Sequence, residues 1–121
     1  MVTRTVVIVD DSVLMRKLMR SILTKEGFDV VGEAADGDEA IALCRAHEPD
    51  LMTLDVNLEG KGGIETLKEV KLITTKTRVV MVTSSDDSAI AMEALSLGAD
   101  NFIGKPYTPE TVLKVVSCIS F

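Results

Sequence analysis

The chain has 121 residues, a net charge of −6 and a pI of about 4.7, and its length fits a single domain. The acidic balance argues against direct binding to nucleic acid, because that binding depends on neutralising phosphates with Lys and Arg. No apolar run approaches the roughly 20 residues of a membrane span. The N-terminus enters a strand pattern directly, so we expect no signal peptide and a cytoplasmic location.

Strand and helix patterns alternate five times along the chain. Short apolar runs without polar alternation are typical of strands covered on both faces. Such patterns predict strands at residues 5–9, 29–34, 51–54, 78–82 and 101–104, and helices at residues 12–25, 37–47, 64–73, 88–97 and 109–119. This alternation predicts right-handed crossovers and a parallel sheet with helices on both faces.

Two expectations concern the placement of apolar side chains and thiols. In the first helix Leu14, Leu18 and Ile22 fall on one apolar stripe, and beside it lie Met15, Met19 and Leu23. This is the pattern of a helix that faces a core. Cys44 and Cys118 stand far apart without metal-ligand spacing, so we interpret both as buried free thiols.

Polar residues of a particular kind stand where four of the predicted strands end. Asp10 and Asp11 follow the first strand, Asp55 the third, Thr83 the fourth and Lys105 the fifth. The carboxyl ends of parallel strands share one edge, where neighbouring strands lie about 4.8 Å apart. Open parallel sheets bind ligands at that edge. Three carboxylates, a hydroxyl and an ammonium group there predict a site for a divalent cation and a phosphoryl group.

The adjacent carboxylates of Asp10 and Asp11 give the strongest local signal. They repel each other, which raises the proton affinity of one unless a cation intervenes, and Mg²⁺ prefers such oxygen ligands. The alternative is that the two acids only stabilise a helix N-terminus through its dipole. This alternative becomes less favoured because Asp55 is predicted to face the same crevice. Asp55 itself could be a metal ligand or a nucleophile that forms an aspartyl-phosphate.

The other two residues have ordinary alternatives as well. Lys105 could be a surface lysine, but beside an anion site it supplies a point charge to a phosphoryl oxygen. Thr83 could simply be a β-branched residue ending a strand, or its hydroxyl could donate to a phosphate. We also predict a cis peptide bond between Lys105 and Pro106, because the chain must turn back over the site there.

In order and spacing, these residues resemble the receiver domain of two-component response regulators, particularly its single-domain chemotaxis members. The resemblance covers essentially the whole chain. It implies a flavodoxin-like α/β fold, a three-layer αβα sandwich in which a five-stranded parallel sheet of order 2-1-3-4-5 is flanked by five helices. It also implies that residues 1–121 form one receiver domain.

The resemblance assigns a role to each residue of the predicted metal site. Asp55 would be the phosphoacceptor and a Mg²⁺ ligand. Asp11 would bind Mg²⁺ directly, Asp10 chiefly through water, and the backbone carbonyl of Asn57 would complete the protein ligands. Phosphoryl transfer and hydrolysis on the chain itself would be its only chemistry, so we do not expect an enzyme acting on other substrates.

The resemblance also implies a switch and two kinds of partner. Thr83 and Lys105 would hold phosphoryl oxygens, and Phe102 matches an aromatic position that swings inward when the Thr hydroxyl is drawn to phosphate. We expect that hydroxyl to lack an acceptor before phosphorylation. The phosphodonor would be a sensor histidine kinase or a phosphotransfer protein. The output surface would be formed by the fourth helix, fifth strand and fifth helix, and its partner would be a downstream protein such as a flagellar motor switch.

Two positions after Asp55 depart from the family pattern. Glu59 stands where Pro is usual and Gly62 where Asp is usual, so we expect a looser loop, with Lys61 as a counterweight to the charge of Glu59. Asn57 and Ser85 occupy positions that tune dephosphorylation in the family.

Three alternatives remain open from the sequence. The chain could be the receiver part of a longer regulator with an effector domain after Phe121. It could instead be a Mg²⁺-dependent phosphohydrolase that uses an aspartyl-phosphate. Such an enzyme usually needs a second acid that protonates a leaving group and a substrate cap, and this chain offers neither an insertion nor a cap. Finally, it could be a scaffold that has lost switching.

Overall fold

The computed structural model describes residues 3–84 and 88–121. Strands and helices alternate in the predicted order throughout. The elements are β1 (Thr5–Val9), α1 (Val13–Lys25), β2 (Asp29–Ala34), α2 (Gly37–His47), β3 (Leu51–Asp55), α3 (Gly63–Ile73), β4 (Arg78–Ser84), α4 (Ser88–Ser96), β5 (Asn101–Lys105) and α5 (Pro109–Ser117). None of these described helices combines the length and the hydropathy needed to cross a membrane.

The five strands form one parallel sheet in the order β2-β1-β3-β4-β5. This is the predicted order, and it confirms the flavodoxin-like fold. The order reverses around β1, which pairs with β2 on one side and with β3 on the other. Val9 lies opposite Leu54 and Thr83 opposite Gly104, so the carboxyl ends of β1, β3, β4 and β5 reach a common edge.

Side chains that alternate along the strands build a separate core on each face of the sheet. Val7 and Val9 pack with residues of α2, α3 and α4, whereas Val6 and Ile8 pack with residues of α1 and α5. All four side chains are buried, and each such burial stabilises the fold by roughly 1.5–3 kcal/mol. Both faces of the sheet are therefore covered, and its carboxyl edge is left to carry the site.

The boundaries differ from the prediction mainly at the ends of elements. The strands β3, β4 and β5 extend to Asp55, Ser84 and Lys105 because parallel pairing continues past the apolar runs, as in the pairing of Asp55 with Val82. Helix α1 begins one residue later than predicted, since Ser12 is its N-cap. Helix α4 ends one residue earlier than predicted, at Ser96.

The last helix also ends early, which makes one side-chain expectation wrong. In α5 the chain turns out of the helix after Ser117, where the N–H groups of Cys118 and Ile119 bond three residues back, a tightened final turn. Cys118 is consequently exposed, and the prediction of a buried thiol is wrong for it. Cys44 is buried, as predicted.

The buried face of α1 is rotated from the predicted stripe. Ile22 is buried, but Leu14 is 74% exposed and Leu18 is 38% exposed. The buried residues of the helix are Met19, Ile22 and Leu23. The apolar residues of α1 exceed what one face can hold, and the packing against the sheet and α5 selects which of them are covered.

The start of α3 lies unusually close to the end of β3, and this predicts a sharp steric effect. A Cβ atom on Gly63 would lie 2.5 Å from the backbone oxygen of Asp55 and 2.7 Å from the Cα of Val56. We expect Gly63→Ala to lower the free energy of unfolding by about 1–3 kcal/mol, the usual cost of overpacking, as measured by urea denaturation.

The neighbouring glycine provides the matched control. A Cβ on Gly62, the N-cap of α3, would meet nothing within 4 Å. Gly62→Ala should change the free energy of unfolding by less than about 0.5 kcal/mol, because the stiffer unfolded chain offsets the poorer N-cap. Equal losses in the two variants would contradict the steric account.

Candidate functional site

Three carboxylates meet at the carboxyl edge of the sheet. Asp10 and Asp11 follow β1 and Asp55 ends β3, the adjacent strand. One carboxylate oxygen from each lies within 4.8 Å of the other two. Asp10 and Asp55 are buried and Asp11 is exposed, so the cluster opens to solvent on one side. Clustered carboxylate oxygens of this kind fit a hard divalent cation such as Mg²⁺.

Lys105 lies among these carboxylates. Its Nζ is 3.1 Å from Asp10 Oδ2 and 3.3 Å from Asp55 Oδ2. Burial alone would lower the pKa of Lys105, but the hydrogen bond to Asp10 and the charges of both carboxylates raise it above its ordinary value. The ammonium group therefore stays charged at neutral pH and partly balances the acidic cluster.

Asp55 is almost fully buried, and its environment acts on its proton affinity in both directions. Burial raises the pKa of its carboxyl group above the ordinary value. The Asn57 N–H, which donates to Asp55 Oδ1 at 3.1 Å, and the Lys105 charge oppose that effect, while Asp10 adds to it. The net pKa is raised, which means that the ionised carboxylate is less well solvated than in water and gains from a nearby cation.

The turn between β1 and α1 is held by a residue that the sequence analysis missed. Asp10 Oδ1 accepts the N–H of Ser12 at 2.9 Å, and the Asp10 carbonyl accepts a hydrogen bond from Arg16 Nη1 at 2.6 Å. Arg16 is itself oriented by Glu33 of β2, at 3.3 Å from its Nε. The sequence did contain a signal for this role of Arg16, since it is a basic residue near the start of a helix that directly follows two acidic residues.

Tyr107 was missed as well. It follows the Lys105–Pro106 bond, which is cis as predicted. Its buried hydroxyl donates to the Met15 carbonyl of α1 at 3.4 Å. Burial and the charges of Asp10 and Asp55 raise the pKa of Tyr107 to about 12, so the phenol is neutral at physiological pH and acts here as a hydrogen-bond donor.

Thr83 and Phe102 occupy two adjacent strands near the site. Thr83 is buried and its hydroxyl donates to the Ser84 carbonyl at 3.2 Å, so the expectation that it lacks an acceptor is wrong. Phe102 is 39% exposed. Two residues along β5 on the same face, Gly104 leaves open space where a Cβ would stand. Ser85, which the resemblance places among the positions that tune dephosphorylation, lies outside the described residues.

In the loop from β3 to α3, the expected pairing of Lys61 with the charge of Glu59 does not occur. Lys61 Nζ lies 2.7 Å from Glu69 and 3.2 Å from Asp38, so it does not pair with Glu59. In the described part of the chain no cation is within ion-pairing distance of Glu59. The predicted counterweight is therefore wrong: Lys61 connects α2 and α3 instead.

Comparisons with known proteins agree with this fold and this arrangement of residues. Residues 6–117 match the family model described as the response regulator receiver domain. The chain is 37% identical over 112 residues to the chemotaxis protein CheY of Bacillus subtilis, an alignment that covers 93% of each chain. It is 33% identical over 117 residues to CheY of Thermotoga maritima, covering 97% of this chain and 98% of the relative.

A solved structure gives the same result. The chain superimposes with a TM-score of 0.89 on a chain of the CheX–CheY–BeF3–Mg²⁺ complex from Borrelia burgdorferi, at 35% identity, covering 93% of this chain and 86% of the other. The match to the family model, over residues 6–117, includes the acidic cluster, Lys105 and Thr83. The chain therefore belongs to the response regulator receiver domain family, whose members act in phosphorylation signalling.

Proposed function

We propose that this chain is a signalling switch activated by phosphorylation of Asp55. The observation that carries the proposal is the environment of that carboxylate. It is buried, it lies 3.3 Å from the Lys105 ammonium, and it shares a cluster with Asp10 and Asp11. A nucleophile, a cation site and a fixed positive charge are the components that phosphoryl transfer needs.

The proposed metal is Mg²⁺. Asp11, Asp55 and the backbone carbonyl of Asn57 would hold it, and Asp10 would act chiefly through water, with further waters filling the remaining positions. When bound, the ion offsets the repulsion between the carboxylate and the phosphoryl donor. Arg16, through its hydrogen bond to the Asp10 carbonyl, keeps the turn that presents the two acids in place.

The chemical step is a transfer to the Asp55 carboxylate. One Asp55 oxygen forms a bond to phosphorus, and the bond from phosphorus to the phosphohistidine nitrogen of the donor breaks, leaving the electron pair on that nitrogen. Lys105, which already lies between Asp10 and Asp55, turns its charge to a phosphoryl oxygen. The Thr83 hydroxyl, which donates a hydrogen bond to the Ser84 carbonyl in this structure, donates instead to another phosphoryl oxygen.

The proposed partners follow from the family and from the relatives. A sensor histidine kinase or a phosphotransfer protein would supply the phosphoryl group. A downstream protein would bind the surface of α4, β5 and α5. Because relatives with near-complete coverage are named as chemotaxis proteins, we propose a chemotactic pathway, with the flagellar motor switch as one output, in the cytoplasm. An effector domain beyond Phe121 is the alternative route to an output.

Incubation with acetyl phosphate and Mg²⁺ tests the proposed function. We expect mass spectrometry to show one added phosphoryl group, mapped to the peptide that contains Asp55, and its loss over time by hydrolysis on the chain. Steady turnover of a simple phosphate ester would favour a phosphohydrolase instead. No phosphoryl uptake by the wild-type protein would contradict the proposal.

Thr83→Ala is expected to uncouple phosphorylation from the output surface. Without the Thr83 hydroxyl, Asp55 still accepts phosphate, but no hydrogen bond from residue 83 to the phosphoryl group forms. Phe102 therefore does not move into the space beside Gly104. The lost coupling should be about 1–3 kcal/mol, the usual range for two-site switches. Chemical shifts of α4 and β5, with and without beryllofluoride, measure it.

Thr83→Ser is the matched control, because it keeps the hydroxyl and removes only a methyl group. We expect it to retain most of the shift changes seen in the wild type. If Thr83→Ala responded as fully as Thr83→Ser, the coupling would run by another route. A wild-type surface unchanged by beryllofluoride would instead indicate a scaffold without a switch.

A further inference from the structure

The loop of residues 56–62, between β3 and α3, has few anchors. Val56 and Leu58 are buried, whereas Asn57 and Glu59 are exposed. Gly60 adopts a positive φ of 73°. The N-cap residue of α3, Gly62, has no side chain to accept a hydrogen bond from the first turn. Apart from backbone hydrogen bonds at its two ends, the loop depends on a small number of side-chain contacts for its position.

In the described part of the chain, Lys61 provides the ion pairs of the loop. Its Nζ donates to Glu69 of α3 at 2.7 Å and lies 3.2 Å from Asp38 of α2. Its stem passes so close to Gly37 that a Cβ there would lie 3.1 Å from Lys61 Cβ and Cγ. The side chain is only 22% exposed. Lys61 thus joins the loop to the start of α2 and to the middle of α3 by both packing and charge.

Of the two ion pairs, the one with Glu69 is expected to matter more. The Asp38 side chain is 85% exposed and that of Glu69 is 42% exposed, so solvent screens the longer pair more strongly. Exposed pairs of this sort contribute about 0–1 kcal/mol to stability. The consequence of losing them should therefore be a change in loop position rather than unfolding.

The same loop is connected directly to Asp55. The Asn57 N–H donates to Asp55 Oδ1 at 3.1 Å, and the Gly63 N–H returns to the Val56 carbonyl at 3.1 Å. We infer that Lys61 is a positioning residue, which fixes this loop so that the amide and carbonyl groups of Asn57 remain aligned with Asp55. This inference rests on the proposed function, since the carbonyl is a ligand only of the proposed Mg²⁺ site.

The substitution Lys61→Met removes the charge of Lys61 and keeps most of its apolar stem. In the metal-free protein we expect faster exchange of the Asn57 amide hydrogen. In Mg²⁺ titration and in acetyl phosphate kinetics we expect roughly tenfold weaker binding and slower phosphorylation, a loss typical of groups that orient metal ligands. All measurements are made at a temperature where thermal melting shows the variants fully folded.

Three further variants control for charge and folding. Lys68→Met removes an exposed lysine of α3 that makes no ion pair with the described residues, and should leave all three measurements unchanged. Lys61→Arg keeps the charge and should recover most of the loss. Glu69→Gln removes the partner's charge, and should act in the same direction as Lys61→Met but less strongly. It replaces Lys61→Met if that variant fails to fold.

The inference would be overturned if Lys61→Met showed the same amide exchange, Mg²⁺ affinity and phosphorylation rate as the wild-type protein. Equal effects in Lys61→Met and Lys68→Met would also overturn it, because net charge alone would then explain the loss. Failure of the proposed function is distinguishable: the wild-type protein would accept no phosphoryl group, whereas failure of the inference leaves the wild type active.

Discussion

Asp55→Asn is expected to abolish phosphorylation by acetyl phosphate and to raise the free energy of unfolding at neutral pH. The amide cannot act as the nucleophile, so no acyl phosphate forms at this position. The variant also removes a buried charge that burial and Asp10 disfavour. Lys105 keeps Asp10 as a partner at 3.1 Å, so the substitution does not leave the ammonium group unpaired.

The pH dependence of this stabilisation has a definite sign. Because the folded-state pKa of Asp55 lies above its ordinary value of 3.8, the native state binds more protons than the unfolded state in the interval between the two values. The contribution of Asp55 to wild-type stability therefore falls as the pH rises through that interval. The advantage of Asp55→Asn should be absent below about pH 3, should grow through the interval and should stay constant at neutral pH.

Urea denaturation at several pH values and mass spectrometry measure the two effects. Asp29→Asn, which changes an exposed carboxylate on β2, is the control and should be phosphorylated normally. Full labelling of Asp55→Asn would show that another residue is the phosphoacceptor. A less stable Asp55→Asn protein at neutral pH would contradict the account of a disfavoured buried charge.

Asp11→Ala should remove the response to Mg²⁺ without loss of the fold, since Asp11 is exposed and belongs to the acidic cluster. At ten times its Kd, Mg²⁺ should stabilise the wild-type protein by about 1.4 kcal/mol, because it binds only the native state. We expect that gain to vanish in the variant. Phosphorylation should slow by at least about 100-fold, the upper end of losses for partners of a metal site.

Thermal melting with and without Mg²⁺ provides the measurement for Asp11→Ala. Glu59→Ala is a suitable control, because Glu59 is another exposed acid, in the loop between β3 and α3, but lies outside the cluster of three carboxylates. It should keep both the stabilisation by Mg²⁺ and the phosphorylation. An unchanged Mg²⁺ titration in Asp11→Ala would count against this arrangement of ligands.

Much of the fold and the composition of the candidate site followed from local patterns. Uninterrupted apolar runs such as residues 79–82 indicate strands covered on both faces, and helical spacing indicates the segments between them. Parallel strands bring their carboxyl ends together whatever the details of packing, so the sequence alone places Asp10, Asp55 and Lys105 at one edge of the sheet. Their chemical roles stay predictions that the phosphorylation experiments address.

The tertiary structure decided which surfaces and which charges meet. Helix α1 has apolar residues on more than one face, and only packing selected Ile22 for burial and left Leu14 exposed. One partner of Lys61, Asp38, lies on α2, far from it in the chain. The support that Arg16 gives to Asp10 requires a folded turn. Such contacts depend on the relative positions of whole elements, which sequence periodicity does not encode because it describes each element separately.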